Sequence, residues 1–387
     1  MSEQGAASWV GDLQPRFDGV QRIAVLRGSG LGDLVQSLPA VQALAAAYPD
    51  ASITLLGTPA HVSLLRGRPS PFDVVEVLPV RPGVRDGPAE DPAAVEAFLA
   101  RMRRCSFDLA VQLHGGGRSS NPFLLALDAR HTIGSRTEDA AELERWRPFR
   151  YWQHEVVRGL EVVALAGAVP VQLEPLLPLT PGEVARRRAR RSPAVVLHPG
   201  ATDPRRRWPP ERFAEVASAL AADGVRTVVV GEDADRASAE EILARVVDPA
   251  GLVTSRAGEI GLGGLVDLLV EADVVVANDS GPRHVAAAVG LPTVGIYWVG
   301  NLVNAGPLGR SRHRVQVGFA THCATCGRDL TQVGWTAERC EHDESILTDV
   351  GVDRVLADVW DLLADADRAR RSRRAALAVG DPRAQVG

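Results

Sequence analysis

The 387-residue sequence contains no lysine, and all 43 of its basic side chains are arginine. That absence excludes a Schiff-base lysine, lysine-bound pyridoxal phosphate and a Walker-A phosphate loop. Any bound anion must be met by arginine, histidine or a helix N-terminus. Only four cysteines occur in a chain this long, too few for a disulfide framework. No apolar run reaches the length that spans a bilayer, and residues 1–21 lack the basic and then apolar pattern of a secretory signal. The formal charge is −5 and the pI about 6.0, with no basic tract as long as a nucleic-acid arm. Nucleic acid is therefore excluded as the main partner. The short runs Arg186–Arg191 and Arg368–Arg374 fall on helical patterns and read as solvated faces, with at most peripheral contact to anionic lipid. A cytoplasmic protein is expected, with the inner face of the membrane included.

What is present is strand–helix alternation. Short β-rich runs at Ile23–Arg27, Ile53–Leu56, Val74–Leu78, Leu109–Leu113 and Thr132–Ile133 are interleaved with helical patterns near 33–48, 93–104 and 122–127. After a Pro-rich and then Arg-rich stretch, the pattern restarts. Strands are expected at Ala194–His198, Thr227–Gly231, Val274–Asn278 and Thr293–Tyr297, and helices near 210–222, 237–246, 263–271 and 282–289. A long amphipathic helix follows from Val352 to about Leu377. This alternation predicts α/β architecture with parallel sheets covered on both faces. The division expected is an N-terminal domain over 1–175, a linker over 176–192, a C-terminal domain over 193–348, and a helix and tail over 349–387. Ligands in such sheets bind at the carboxyl ends of the strands, here in a cleft between the halves.

The first strand feeds Gly28-Ser29-Gly30-Leu31-Gly32-Asp33. A dinucleotide fingerprint needs Gly or Ala where Asp33 stands, and a carboxylate there would repel a pyrophosphate. This argues against a nicotinamide-dependent oxidoreductase. Asp33 reads instead as a helix N-cap, as a general base for an acceptor hydroxyl, or as both. Gly30 and Gly32 let the backbone approach a neighbour closely. Further along, His114 and Arg118 border the Gly115–Gly117 loop, which either contacts acceptor or donor sugar or is a flexible connection.

Two anion-attracting loops follow strands of the second half. Pro199–Pro210 carries Thr202 and three consecutive arginines, Arg205 to Arg207, just before a proline-started helix. The other is Asp279-Ser280-Gly281-Pro282-Arg283-His284, where Ser280 and Gly281 sit at a helix N-terminus. Together they suit a diphosphate. Asp233 and Asp235, in Gly231–Asp235 at another strand end, either accept from ribose hydroxyls or cap a helix.

The stretches RIAVLRGSGLGDLVQSLPAVQAL, VVLHPGATDPRRRWPPERFAEVA, VVVGEDADRA and DVVVANDSGPRHVAAAVGLPTVGIYW resemble glycosyltransferase family 9, the ADP-heptose:lipopolysaccharide heptosyltransferase family. The resemblance implies a GT-B fold of two Rossmann-like, doubly wound domains facing across a cleft. It implies metal-independent, inverting sugar transfer from a nucleotide-diphosphate sugar, with ADP-heptose favoured, to a glycan or glycolipid acceptor. Asp33 matches the family's proposed base. Arg206 falls where the family usually has a phosphate-contacting lysine. Ser280 and Gly281 match the diphosphate loop, with Asp279 and His284 in the same motif, and Asp233 or Asp235 falls near the ribose-contacting acid. Other nucleotide sugars, serving a surface polysaccharide or a secondary metabolite, and a non-catalytic nucleotide-sugar-binding protein are the competing readings.

No cofactor is called for by these motifs. Cys323, Cys326 and Cys340, with His322 or His342, have spacing compatible with zinc, but one Cys-x-x-Cys and a single later cysteine do not establish a metal site.

Overall fold

The structure, a computed structural model, describes residues 12–190, 192–331 and 338–378. The described residues form two compact units. One holds residues up to Thr180 together with Gly300–Leu308, and the other holds Pro181–Val299 and the residues from Gly309 onward.

The first unit is built on six parallel strands: β1 (Arg22–Leu26), β2 (Ser52–Gly57), β3 (Val74–Val77), β4 (Leu109–Gln112), β5 (His131–Arg136) and β6 (Arg145–Pro148). Their order is β3-β2-β1-β4-β5-β6. The two central strands, β1 and β4, are apolar at nearly every position and buried on both faces, as parallel strands covered by helices require. The second unit repeats the plan with β7 (Ala194–His198), β8 (Arg226–Val229), β9 (Val253–Ser255), β10 (Val274–Asn278), β11 (Thr293–Trp298) and β12 (His313–Gly318), in the order β12-β11-β10-β7-β8-β9. Each sheet therefore has the doubly wound order with its topological switch point between its first and fourth strands, β1/β4 and β7/β10.

The cores follow from the same patterning. In the first unit Val95, Phe98, Leu99 and Met102 of the helix Pro92–Arg104 pack with Leu26, Leu56 and Phe123. In the second, Trp208 and Phe213 meet edge to face with ring centroids 5.0 Å apart. The long C-terminal helix, Val352–Ala378, buries Val355, Val359 and Leu362 in that core.

Two features depart from a linear reading. The segment Gly300–Leu308 returns to the first unit, where Ala305 O accepts from Gln36 Nε2 at 3.2 Å and Gly306 O pairs with His154 Nε2 at 2.7 Å. The basic runs are not simply solvated faces. Arg190 and Arg370 both reach the fully buried carboxylate of Asp273, at 3.4 and 2.5 Å, and Arg186 pairs with Asp267. The arginines thus anchor the helices Pro181–Ala189 and Val352–Ala378 to one buried acid.

Candidate active site

In the first unit the chain leaves β1 through Arg27 and Gly28. A Cβ on Gly28 would meet the carbonyl oxygen of Val84 at 1.9 Å, so this glycine is needed for packing against the protein's own backbone. Helix Leu31–Ala47 begins two residues earlier than its apolar pattern predicts. Gly30 is its N-cap, and Asp33 is the third helical residue. The N-cap alternative for Asp33 is therefore corrected: its Oδ2 reaches back and accepts from Gly30 N–H at 3.2 Å. Its Oδ1 accepts from Arg27 at 2.7 Å. The Asp33 side chain is 43% exposed while Arg27 is buried, so a fixed cation presents a solvent-accessible carboxylate.

Arg27 is held in turn. It donates to Leu113 O and lies 3.4 Å from Glu155, which pairs with Arg158. Two guanidiniums and two carboxylates thus share one partly buried network, and such charges are tolerated only when paired. His114, at the end of β4, accepts from Gly28 N–H through Nδ1 at 3.1 Å. Burial, reinforced by the charge of Arg27, pushes its pKa down to about 4, so the ring is neutral. His61 is likewise neutral, with burial lowering its pKa to about 4. Its Nδ1 accepts from Thr58 N–H, and its Nε2 faces Gly30 O at 3.4 Å. Two uncharged imidazoles thereby brace the Gly28–Asp33 turn. Arg118 lies further out, 83% exposed and 3.3 Å from Asp139, while Gln112 Nε2 donates to His114 O and Ser120 Oγ to shape the loop.

The second unit brings two of the predicted loops together at the β7/β10 switch point. Asn278, fully buried at the end of β10, donates to Pro199 O at 2.6 Å and accepts from Trp208 N–H at 3.0 Å. It clamps both ends of the arginine loop. Within that loop Arg205 is spent on Asp203, and Arg207 donates to Ala201 O at 2.9 Å. Arg206 instead points toward Asp279, 3.7 Å away, and Thr202 is exposed.

Asp279 is also 3.2 Å from His284 Nε2 and 3.7 Å from Arg283. Burial alone would raise its pKa. The hydrogen bond from His284 and the charges of Arg283 and Arg206 outweigh that and hold it below the usual carboxylate range. Ser280 is the N-cap of helix Gly281–Ala288, and its hydroxyl meets His198 Nδ1 at 3.1 Å. Burial lowers the His198 pKa to about 4, so this ring too is neutral. The positive helix end at Ser280 and Gly281 therefore lies beside the loop bearing Arg206.

The two acids after β8 separate clearly. Asp235 is buried, accepts from Glu232 N–H at 3.0 Å, and packs where a Cβ on Gly200 or Gly231 would clash. Asp233 is 87% exposed and pairs with Arg236 at 3.0 Å. Asp235 thus organises the loop ends, and Asp233 is the accessible carboxylate.

A family model described as glycosyltransferase family 9 (heptosyltransferase) matches residues 95–333. The chain belongs to glycosyltransferase family 9. It is 28% identical over 300 residues to lipopolysaccharide heptosyltransferase 2 of Escherichia coli, covering 71% of this chain and 82% of that protein. Lipooligosaccharide heptosyltransferase 2 of Haemophilus influenzae is 26% identical over 296 residues, with the same two coverages. The crystal structure of a family 9 glycosyltransferase from Veillonella parvula superposes with a TM-score of 0.71 at 18% identity, over 89% of this chain and 98% of that one. The E. coli ADP-heptose lipopolysaccharide heptosyltransferase II structure gives 0.70 at 23% identity, over 90% and 99%. The GT-B class of fold expected from the motifs is therefore the observed one.

In this family 9 glycosyltransferase, several residues that matter to the geometry carry no mark of that role in the sequence, among them Arg27, Asn278, His61 and Arg283. Arg27 directly follows β1, Asn278 ends β10, His61 lies on a short helix, and Arg283 lies inside a quoted motif. A polar residue closing an otherwise apolar strand was the available signal for the first two. His61 has a local partner in Thr58, but nothing local marks its contact with Gly30, 31 residues away. Among the described residues, no helix is long and apolar enough to cross a membrane.

Proposed function

We propose that this glycosyltransferase moves a heptose from ADP-heptose to a hydroxyl of a lipopolysaccharide-core glycolipid, with inversion at the anomeric carbon. The observation that carries the reading is the distribution of charge over the two switch points. One bears an accessible carboxylate fixed by Arg27, and the other bears a helix N-terminus beside Arg206. The relatives' names, lipopolysaccharide and lipooligosaccharide heptosyltransferase, support the sugar and the acceptor class, and the E. coli ADP-heptose heptosyltransferase structure supports the donor.

In this reading Asp33 accepts the proton of the acceptor hydroxyl as its oxygen bonds to C1 of the sugar. The C1–O bond to the diphosphate breaks, and the departing electron pair resides on ADP. Arg206, Thr202 and the helix end at Ser280 and Gly281 stabilise the charge that develops there. Asp279 and His284 orient Arg206 and the loop, and the exposed Asp233 meets the ribose while the buried Asp235 holds its loop. Gly30, Gly32, His114 and Arg118 line the acceptor side.

Calorimetric titration with ADP, UDP and GDP tests the donor assignment. Binding selective for ADP is expected. Selectivity for UDP or GDP would overturn ADP-heptose and favour another nucleotide sugar.

A further inference from the structure

We propose that Cys323, Cys326, Cys340 and His342 hold one tetrahedral divalent transition-metal ion, Zn²⁺ or Fe²⁺, as a structural clip beside the arginine loop. The four ligand atoms, from two separate chain segments, all lie within 4.8 Å of one another. Cys323 Sγ and His342 Nδ1 are 3.6 Å apart. A tetrahedral ion with metal–sulfur bonds near 2.3 Å and metal–nitrogen bonds near 2.0 Å separates such atoms by about 3.5 Å. Three soft thiolates and an imidazole select zinc or iron over magnesium or calcium.

The backbone is built for the purpose. Gly327 follows the Cys-x-x-Cys pair at φ +70°, and its N–H donates to Cys323 O at 2.9 Å. Cys323 N–H donates to Arg328 O at 2.9 Å, closing a tight hairpin that carries the buried Cys323 and the exposed Cys326. Cys323 and Cys340 sit in the apolar core of the second unit, so their sulfurs are shielded on one side. A disulfide would use two of the three sulfurs and leave the third, with His342, unexplained.

The clip has a specific consequence. The segment that carries Cys340 and His342 continues into contacts with the arginine loop. Ile346 N–H donates to Arg205 O at 2.9 Å, Ser345 Oγ donates to Arg207 O at 2.6 Å, and Arg339 lies 3.7 Å from Asp203. Arg205, Cys323, His342 and Ile346 line one small pocket. Metal binding would therefore tie this segment to the hairpin and hold it against residues 203–207. The ion takes no part in sugar transfer, and the inference does not depend on the donor assignment.

Elemental analysis of the untagged full-length protein tests the site. About one equivalent of zinc or iron per chain is expected. Cys326→Ser, at an exposed position, should fold and lose about ten-fold or more of that metal, while Cys105→Ser should retain it. Hydrogen exchange at Ile346 should quicken in Cys326→Ser and not in Cys105→Ser. Less than about half an equivalent in the wild type, or three freely titrating thiols in this cluster of the native protein, would overturn the proposal. Unchanged exchange at Ile346 on metal loss would overturn the clip.

Discussion

Arg27 donates to Asp33 across 2.7 Å, from a buried position at the end of β1 to a carboxylate that stays accessible one helical turn into the next element. The pairing fixes where the carboxylate points while leaving Oδ2 on the backbone of Gly30. Arg27 is thus a positioning residue for the proposed base. Arg27→Ala should lower kcat by about 100-fold or more and leave the ADP dissociation constant unchanged, because the donor loops belong to the other unit. Arg27→Lys should recover part of kcat, since it restores the charge without the two-pronged geometry. Steady-state kinetics beside ADP titration checks the split, and an unaltered kcat in Arg27→Ala contradicts the role.

The three consecutive arginines should not be equivalent. Arg206→Ala should weaken ADP binding by about ten-fold or more, through loss of a charge-assisted contact to phosphate. Arg205→Ala should mainly lower the melting temperature, because its guanidinium is engaged by Asp203. Calorimetry and thermal melts separate the two effects. Equal losses of ADP affinity would show that Arg206 is not the distinct phosphate ligand.

Asn278 joins the two anion loops through its two opposite hydrogen bonds. Asn278→Ala leaves Pro199 O and Trp208 N–H buried without these partners and should cost about 2–5 kcal/mol of stability. Denaturant unfolding measures it. A loss under about 0.5 kcal/mol would mean that the loops are held by other contacts.

The histidines make stability depend on pH with a defined sign. His61 is buried and takes a proton in the folded state only near pH 4, whereas the unfolded chain does so near 6.5. Its favourable contribution is complete above 6.5 and is lost as the pH falls from 6.5 to about 4. For this one residue the loss is about 3 kcal/mol. His114, His198 and His313 share the direction and the window. Unfolding free energies at pH 7.5 and 4.5 should differ accordingly, and the difference should shrink in His61→Gln. An identical difference in wild type and variant would contradict the buried neutral ring.

Much of the fold is legible in the sequence. β7 and β10 and the helix Pro210–Ala222 fall where apolar runs and proline starts predict them, because buried parallel strands leave little room for other residue types. The candidate loops stand out in the sequence for a different reason: glycine, proline and arginine clusters at strand ends mark turns that attract anions. What escaped depends on partners far along the chain. β6, β9 and β12 lie at or near the outer part of each sheet, with partly exposed, mixed residues that carry no clear period. The return of Gly300–Leu308 to the first unit has no local signal, since it rests on Gln36 and His154. The position of Asp33 at the third helical residue turns on which glycine starts the helix, and Gly30 and Asp33 both suit a cap.

The lysine-free composition acquires a specific address in the structure. Where the resemblance puts a phosphate-contacting lysine, Arg206 stands 3.7 Å from Asp279, the residue before the N-cap of helix Gly281–Ala288. A guanidinium there keeps the charge and offers a fork of donors to a diphosphate.

The central claim is that Asp33 is the base of a sugar transfer. The most direct measurement is ADP release and product formation from ADP-heptose and a heptose-deficient lipopolysaccharide acceptor, comparing wild type with Asp33→Asn. Turnover is expected in the wild type, with a loss of about 100-fold or more in kcat in Asp33→Asn and ADP affinity preserved. Transfer by Asp33→Asn at the wild-type rate would contradict it.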